Sequence, residues 1–264
     1  MNAVIGQAAV APVFREASLR TEQVTQLVLG ETAELLETTG TWYRIRTAVD
    51  HYEGWVHRGY LRDVTAEEAV RWREEATGWS TGAVIETAAG HRRIPVRARA
   101  VLEHGRIRLP DGTSGALAQG HILAAEELRR AARAMPAERW ALETYFGAPY
   151  QWGGLTECGV DCSGLVQTTF AARGVPMPRD SSAQALVGAE VALEAVAPGD
   201  LLFFSENGRS VTHVAFAAED DTLVHSTVSC GGVLRESWAP GHRAAQLREV
   251  FVTARRVPGA AATG

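Results

Sequence analysis

Apolar and polar residues alternate in short runs through the first part of the chain, and each run stops at a glycine or a polar turn. From Ala11 to Val64, TQLVLGETAELLETTGTWYRIRTAVDHYEGWVHRGYL alternates in this way and breaks at Gly30, Gly40 and Gly54. A period of two marks half-buried strands, and closely spaced turns between short strands predict a small β-barrel. TAEEAVRWREEA follows as a connecting helix, with Thr65 as N-cap and Glu68 at the capping-box spacing. From Gly78 to Leu123 the β pattern resumes. There HGRIRLPDGTSGALAQGHIL lines up with WYRIRTAVDHYEGWVHRGYL, which reads as duplication of a small β-module. The second copy lacks the aromatics Trp42, Tyr43, Tyr52, Trp55 and Tyr60, so recognition is expected of the first copy alone.

The period then changes. LAAEELRRAARAMPAERWALETYFG reads as helix interrupted at Pro136, and DCSGLVQTTFAARG carries apolar residues at helical spacing up to a glycine C-cap at Gly174. GDLLFF, THVAFAAE, TLVHST, GGVLRESW and LREVFVTARRV are strands separated by turns, and the tail PGAAATG reads as frayed. A helix followed by antiparallel strands is an α+β layer arrangement. The expected organisation is a first β-module over residues 1–64, a linker helix over 65–77, a second β-module over 78–123 and an α+β domain over 124–264.

A net charge of −5 over 264 residues argues against general affinity for nucleic acid or anionic membrane. The local basic run HRRIPVRAR alternates with apolar residues and reads as the wet face of a strand. No apolar run approaches membrane-spanning length. The N-terminal stretch has no Lys or Arg ahead of its mildly apolar residues, so it does not read as a secretory signal, and the expected compartment is the cytoplasm.

Only three cysteines occur, which leaves one over from any disulfide framework. Cys162 falls at the head of a predicted helix, where backbone N–H groups favour a thiolate and can hold an oxyanion. Cys158 and Cys230 lack that setting and read as inert buried thiols. The spacing of Cys158 and Cys162 also supplies half of a zinc site, which His213 and His225 are candidates to complete from separate strands. Those two histidines fall on neighbouring antiparallel strands, so one ring is able to orient the other, and a Cys–His–His triad is the alternative to the metal.

Five ordered stretches, YQWGGLTECGVDCSGLVQTTF, PRDSSAQ, GDLLFF, THVAF and VHS, resemble the NlpC-type bacterial cysteine peptidases, from about Pro149 to Val252. That resemblance implies a papain-like peptidase domain without cofactor or metal. It makes Cys162 the nucleophile, His213 the general base and acid, and His225 the orienting residue. It gives Tyr150 to the oxyanion or substrate, and places Asp161, Ser163, Arg179, Asp180 and Ser181 against substrate, with Asp161 suited to a free amine or to capping the helix. The N-terminal half resembles bacterial SH3-type domains, and TEQVTQLVLGE with DHYEGWVH resembles the first such module of peptidases that cut γ-D-glutamyl–diamino acid bonds. In those enzymes a glutamate and a tyrosine close the amino end of the substrate. Glu22 and Tyr52 match best, with Glu53 and Tyr60 as rivals. The implied partner is a murein peptide with free N-terminal L-Ala, cut to release L-Ala-D-Glu in cell-wall recycling. A non-catalytic wall-binding protein, or an acyltransferase or amidase on the same cysteine, are the competing readings.

Overall fold

A computed structural model describes residues 2–262 and divides into two units, Met1–Glu127 and Leu128–Gly264. In the first unit, β1 (Ala3–Gly6), β2 (Val10–Phe14), β3 (Gln23–Val28), β4 (Thr32–Thr39), β5 (Trp42–Thr47), β6 (Glu53–His57) and β7 (Leu61–Val64) form one antiparallel sheet in the order β3-β2-β6-β5-β4-β1-β7. Val4, Val13, Leu27, Ile45 and Val56 fill its core. Strand β1 lies ahead of the alternating pattern that begins at Ala11. Its four residues are all buried, and a uniformly apolar tetrapeptide shows no period.

Helix α1 (Ala66–Glu75) carries the capping box: Glu68 N–H donates to Thr65 Oγ1 at 3.1 Å, and Thr65 N–H donates to Glu68 Oε2 at 2.7 Å. Its apolar stripe, Ala69 and Trp72, packs with Ile5 and Val64 on one side and Val101 on the other. The second module comprises β8 (Gly78–Thr87), β9 (Gly90–Ile94), β10 (Arg99–Glu103), β11 (Arg106–Arg108) and β12 (Ser114–Ala124). Strand β10 pairs with both β11 and β8, which closes β10-β11-β12-β8 into a ring. The sequence repeat is also a repeat of register, since Ile45 stands opposite Gly54 and Ile107 opposite Gly115.

The HRRIPVRAR segment departs from the exposed-strand reading. Pro95 follows the end of β9, and Arg97 takes a left-handed φ of 79°, which turns its side chain inward. Arg97 Nε donates to Glu31 Oε1 at 2.6 Å, with the two side chains only 2% and 3% exposed. Glu31 Oε2 also accepts from Val28 N–H at 3.1 Å. Alternating charge reads as solvated only when no partner waits inside, and Glu31 is far away in sequence.

The second unit begins with α2 (Ala125–Arg133, whose first residues lie in unit one) and α3 (Ala137–Tyr145), separated at Pro136. A short hairpin of β13 (Leu155–Thr156) and β14 (Gly159–Val160) leads into α4 (Cys162–Ala172), and α5 (Ser181–Gln184) follows. Strands β15 (Ala189–Val191), β16 (Leu201–Phe204), β17 (His213–Ala218), β18 (Thr222–Thr227), β19 (Gly232–Ser237) and β20 (Phe251–Arg256) form an antiparallel sheet in the order β15-β20-β16-β17-β18-β19. Helix α4 lies on this sheet, with Phe170 and Phe216 ring centroids 6.0 Å apart. No helix among the described residues is long and apolar enough to cross a membrane.

The tail is not frayed through Ala261. Arg173, the C-cap of α4, is fully buried and spends all five N–H groups on carbonyls. Its acceptors are Ala132 in the last turn of α2, Met135 just beyond that helix, and Gly259, Ala260 and Ala261 in the tail. Composition gave no hint of this, because the acceptors are backbone atoms. Thr263 and Gly264 lie outside the described residues.

Glu31→Ala strands Arg97 as an unpaired buried charge, which is expected to destabilise the first unit by about 3–5 kcal/mol. Urea unfolding monitored by hydrogen exchange of the β1–β7 amides checks this, and an unchanged midpoint would show that the pair is solvated.

Candidate active site

Asp161 sets the head of α4. Its extended backbone makes it the N-cap, and its Oδ1 accepts from Gly164 N–H at 2.7 Å. Its Oδ2 accepts from Gly153 N–H at 2.7 Å, which fastens the Tyr150–Gly154 loop to the helix. Arg179 completes a fork, Nη2 to Oδ2 at 2.6 Å and Nη1 to Oδ1 at 3.1 Å, with both side chains buried. Ser163 Oγ donates to Asp161 Oδ1 at 3.2 Å and accepts from Arg179 Nη1 at 2.8 Å. Gly164 is required by the close approach of the loop, since a Cβ there would stand 2.2 Å from the Gly154 carbonyl oxygen.

This network realises the capping role expected of Asp161 and leaves little room for the other, a substrate ammonium. Five donors already share its two oxygens, which offer about four lone-pair positions. Ser163 and Arg179 are likewise turned into the network and buried. Asp180 is exposed, and Ser181 opens α5.

Two histidines and a carboxylate form a diagonal across three strands. His213 is the first residue of β17, and the β17–β18 register, continued, sets His225 opposite Ala215 on the same face. His213 Nε2 lies 2.8 Å from His225 Nδ1. His225 Nε2 in turn lies 2.7 Å from Glu236 Oε1, and Glu236 is ion-paired with Arg243. His225 is 2% exposed. Glu236 escaped the sequence reading. The available signal was positional, because Leu234 faces His225 and Glu236 is its diagonal neighbour on β19.

Burial dominates the electrostatics. It pushes the Cys162 thiol up to about 12, with the Asp161 charge adding to the effect. N–H groups of Val214 and Ser163 at the sulfur, together with Arg179, oppose it without prevailing. Burial also pulls His213 down to about 3, helped by His225 and Arg243. Burial thus favours a thiol and a neutral imidazole at rest, against the helix-end N–H groups that favour a thiolate. A helix N-terminus contributes about 0.3–1 kcal/mol to an anion, up to ~2 in favourable geometry. Desolvating an ion costs several kcal/mol. Burial and the neighbouring Cys162 and Asp161 raise the Tyr150 phenol, so it stays protonated as a donor. Burial alone would raise Glu236, but the His225 and Arg243 contacts hold it below the usual carboxylate range.

Cys158 and Cys230 are exposed, against the expectation that both are buried. Each sits at a turn, Cys158 between β13 and β14 and Cys230 just before β19, where sequence gave no apolar period to follow. Among the described residues no group of three or more His, Cys, Asp or Glu is arranged to hold a metal ion. Glu22 and Tyr52 belong to the first unit. Glu22 forms a partly exposed ion pair with Arg15, and Tyr52 N–H donates to Thr47 Oγ1 at 2.9 Å. Of their rivals, Glu53 is committed to Arg44 and Arg46 at 2.9 and 2.7 Å, while Tyr60 packs against the sheet core.

Residues 147–250 match the NlpC/P60 family, and residues 13–61 match the bacterial dipeptidyl-peptidase SH3 domain. The chain is 37% identical over 98 residues to a probable endopeptidase NlpC of Escherichia coli, covering 36% of this chain and 63% of that protein. It is 40% identical over 84 residues to a gamma-D-glutamyl-L-lysine dipeptidyl-peptidase of Bacillus subtilis, covering 31% of this chain and 28% of that one. The matched segment thus spans less than two thirds of either relative. A solved NlpC/P60 family protein of Bacillus cereus superposes with a TM-score of 0.80, covering 96% of this chain and 99% of that one. At 21% identity, that likeness shows a shared fold.

A thiol that passes its proton to an adjacent neutral imidazole reacts without first ionising into solvent. Alkylation of Cys162 by iodoacetamide, mapped by mass spectrometry apart from Cys158 and Cys230, is expected to stay flat between about pH 6 and 9. A rise of roughly tenfold per pH unit on the acid side of an ordinary thiol would show that Cys162 titrates alone.

Proposed function

We propose that this chain, whose residues 147–250 form an NlpC/P60 domain and whose residues 13–61 form a bacterial dipeptidyl-peptidase SH3 domain, is a cysteine peptidase of murein peptides. Its bond is the γ-D-glutamyl–diamino acid linkage, its product L-Ala-D-Glu, and its setting the cytoplasmic recycling of cell-wall peptides. The observation that carries the reading is a buried thiol at the head of α4 in one unit with an imidazole pair locked at 2.8 Å.

The steps start from a neutral thiol and a neutral imidazole, the forms that burial favours. His213 takes the proton of the Cys162 thiol as the sulfur attacks the γ-carbonyl carbon of D-glutamate. The oxyanion is held by N–H groups at the head of α4 and by the Tyr150 hydroxyl. Collapse breaks the C–N bond, and protonated His213 returns its proton to the departing amine. Water, losing a proton to the same ring, then cleaves the thioester and frees Cys162. Naming of a Bacillus relative for gamma-D-glutamyl-L-lysine supports this choice of bond. In this proposal Glu22 and Tyr52 read the free L-Ala amine, as the resemblance of the first module implies, and Asp161 takes no part because five donors already share its oxygens.

L-Ala-γ-D-Glu-diaminopimelate and its lysine counterpart, followed by mass spectrometry, test both parts. Cys162→Ala is expected to remove at least about 10⁴-fold of the rate, and full activity would sink the nucleophile assignment. N-acetylation of the alanine is expected to depress turnover severely, and Glu22→Gln to narrow that difference. Equal cleavage of acetylated and free peptides would end the amine-reading proposal.

A further inference from the structure

An imidazole in third place of a triad leaves a question that an amide or a carboxylate would not. His225 is able to present either an N–H or a bare nitrogen to His213, and only one choice leaves His213 competent. A carboxylate accepts and never donates, so Glu236 Oε1 at 2.7 Å requires an N–H on His225 Nε2. On a ring that carries this one proton Nδ1 is bare, and it accepts from His213 Nε2–H at 2.8 Å. His213 Nδ1 is consequently unprotonated and free to receive the thiol proton. Arg243, on the same Glu236 oxygen, supplies the opposite charge, so the carboxylate does not need a protonated His225.

We infer that Glu236 is a positioning residue that fixes the hydrogen-bond polarity of the His213–His225 pair, and that Arg243 keeps Glu236 an acceptor. This rests on the peptidase reading, but the polarity is readable without turnover. The test uses the full chain with ¹⁵N-labelled histidine and the variants Glu236→Ala and Glu236→Lys. In the unaltered chain His213 is expected as the Nε2–H tautomer. Glu236→Lys presents a donor to His225 Nε2, so the chain of bonds reverses and His213 becomes the Nδ1–H form. The flat alkylation profile of Cys162 is then lost. Glu236→Ala, which leaves the polarity unset, is expected to lower kcat about 10–100-fold with KM little changed, as outer partners of functional histidines do. An unchanged His213 tautomer and unchanged Cys162 alkylation in both variants would overturn the inference. If no peptide is cut by the unaltered chain while the tautomer still reverses, the peptidase reading fails and the relay stands.

A separate observation in the first unit carries a second site. A cavity of about 220 Å³ is lined by Gly30, Thr32, Val49, Glu31 and two arginines, Arg73 from α1 and Arg99 from β10. Arg73 Nη1 donates to Thr32 Oγ1 at 3.0 Å. Arg99 lies 3.7 Å over the Trp79 ring, and among the described residues its guanidinium has no hydrogen-bond acceptor or ion pair. The neighbouring Glu31 is already spent on Arg97. Burial lowers Arg99 to about 10, so it remains a cation at neutral pH. Glu31 also acts on Arg99, but one carboxylate shared with Arg97 leaves a surplus of positive charge at the cavity, which an anion would meet. The geometry points to a binding site for a small oxyanion, a carboxylate or phosphate, between Arg73 and Arg99. Inorganic phosphate and glutarate titrated into the ¹⁵N-arginine-labelled chain, against chloride of equal ionic strength, test it. Saturable shifts of the Arg99 Nε–H signal with Kd of about 10 mM or tighter support the site. The anion that binds alone, or more tightly, names the class. Loss of those shifts in Arg73→Gln, which leaves the Trp79 stack intact, is expected. No saturable shift with either anion, or the same shift in Arg73→Gln, would overturn it.

Discussion

The bidentate contact between Asp161 and Arg179 is the interaction on which the second unit turns. It neutralises a carboxylate that would otherwise sit buried beside the reactive sulfur, and it leaves that carboxylate free to cap α4 and to hold the loop at Gly153. Breaking one partner of such a pair typically costs about 3–5 kcal/mol, because the other charge is left without solvent. The same fork orders Ser163, and Gln184 Nε2 donates to the Ser163 carbonyl at 2.9 Å, so the segment around α5 is tied to the nucleophile as well. Placement of the sulfur is thus the output of a polar cluster and not of apolar packing alone.

That cluster also explains the protonation state. Burial of Cys162 and partial burial of Tyr150 and His213 favour the neutral forms of all three. Reactivity in such a place comes from handing a proton across a short distance and from donors aimed at a charge that forms later. It does not need a standing ion pair.

Much of this was legible in the chain. The Asp-Cys-Ser-Gly stretch, the helical spacing after it and the two histidines on successive strands carry their positions openly, because each is a local pattern. Most of the strand and helix order is of the same kind, β1 and the short elements around α4 excepted. What stayed hidden depends on partners distant in sequence. Arg97 looked solvated until Glu31 supplied its counter-charge, and the tail looked loose until Arg173 supplied its donors. Glu236 is visible only once the β18–β19 register is known, since a shift of one residue would put it on the other face of the sheet. Which of its two roles Asp161 fills, amine partner or helix cap, is hidden too, because sequence cannot count how many donors a carboxylate already serves.

Arg173 has a consequence beyond the tail it secures. Helix α4 is clamped at both ends, by Asp161 at the sulfur and by five carbonyls about 16 Å away along its axis. An α-helix on a smooth apolar sheet is free to creep lengthwise, and a slip of a single residue would carry the sulfur about 1.5 Å. Productive geometry tolerates roughly 0.5 Å. The far end of the helix therefore acts as an axial stop, and a lysine there, with three donors in place of a rigid five-donor fork, would leave the nucleophile with longitudinal play.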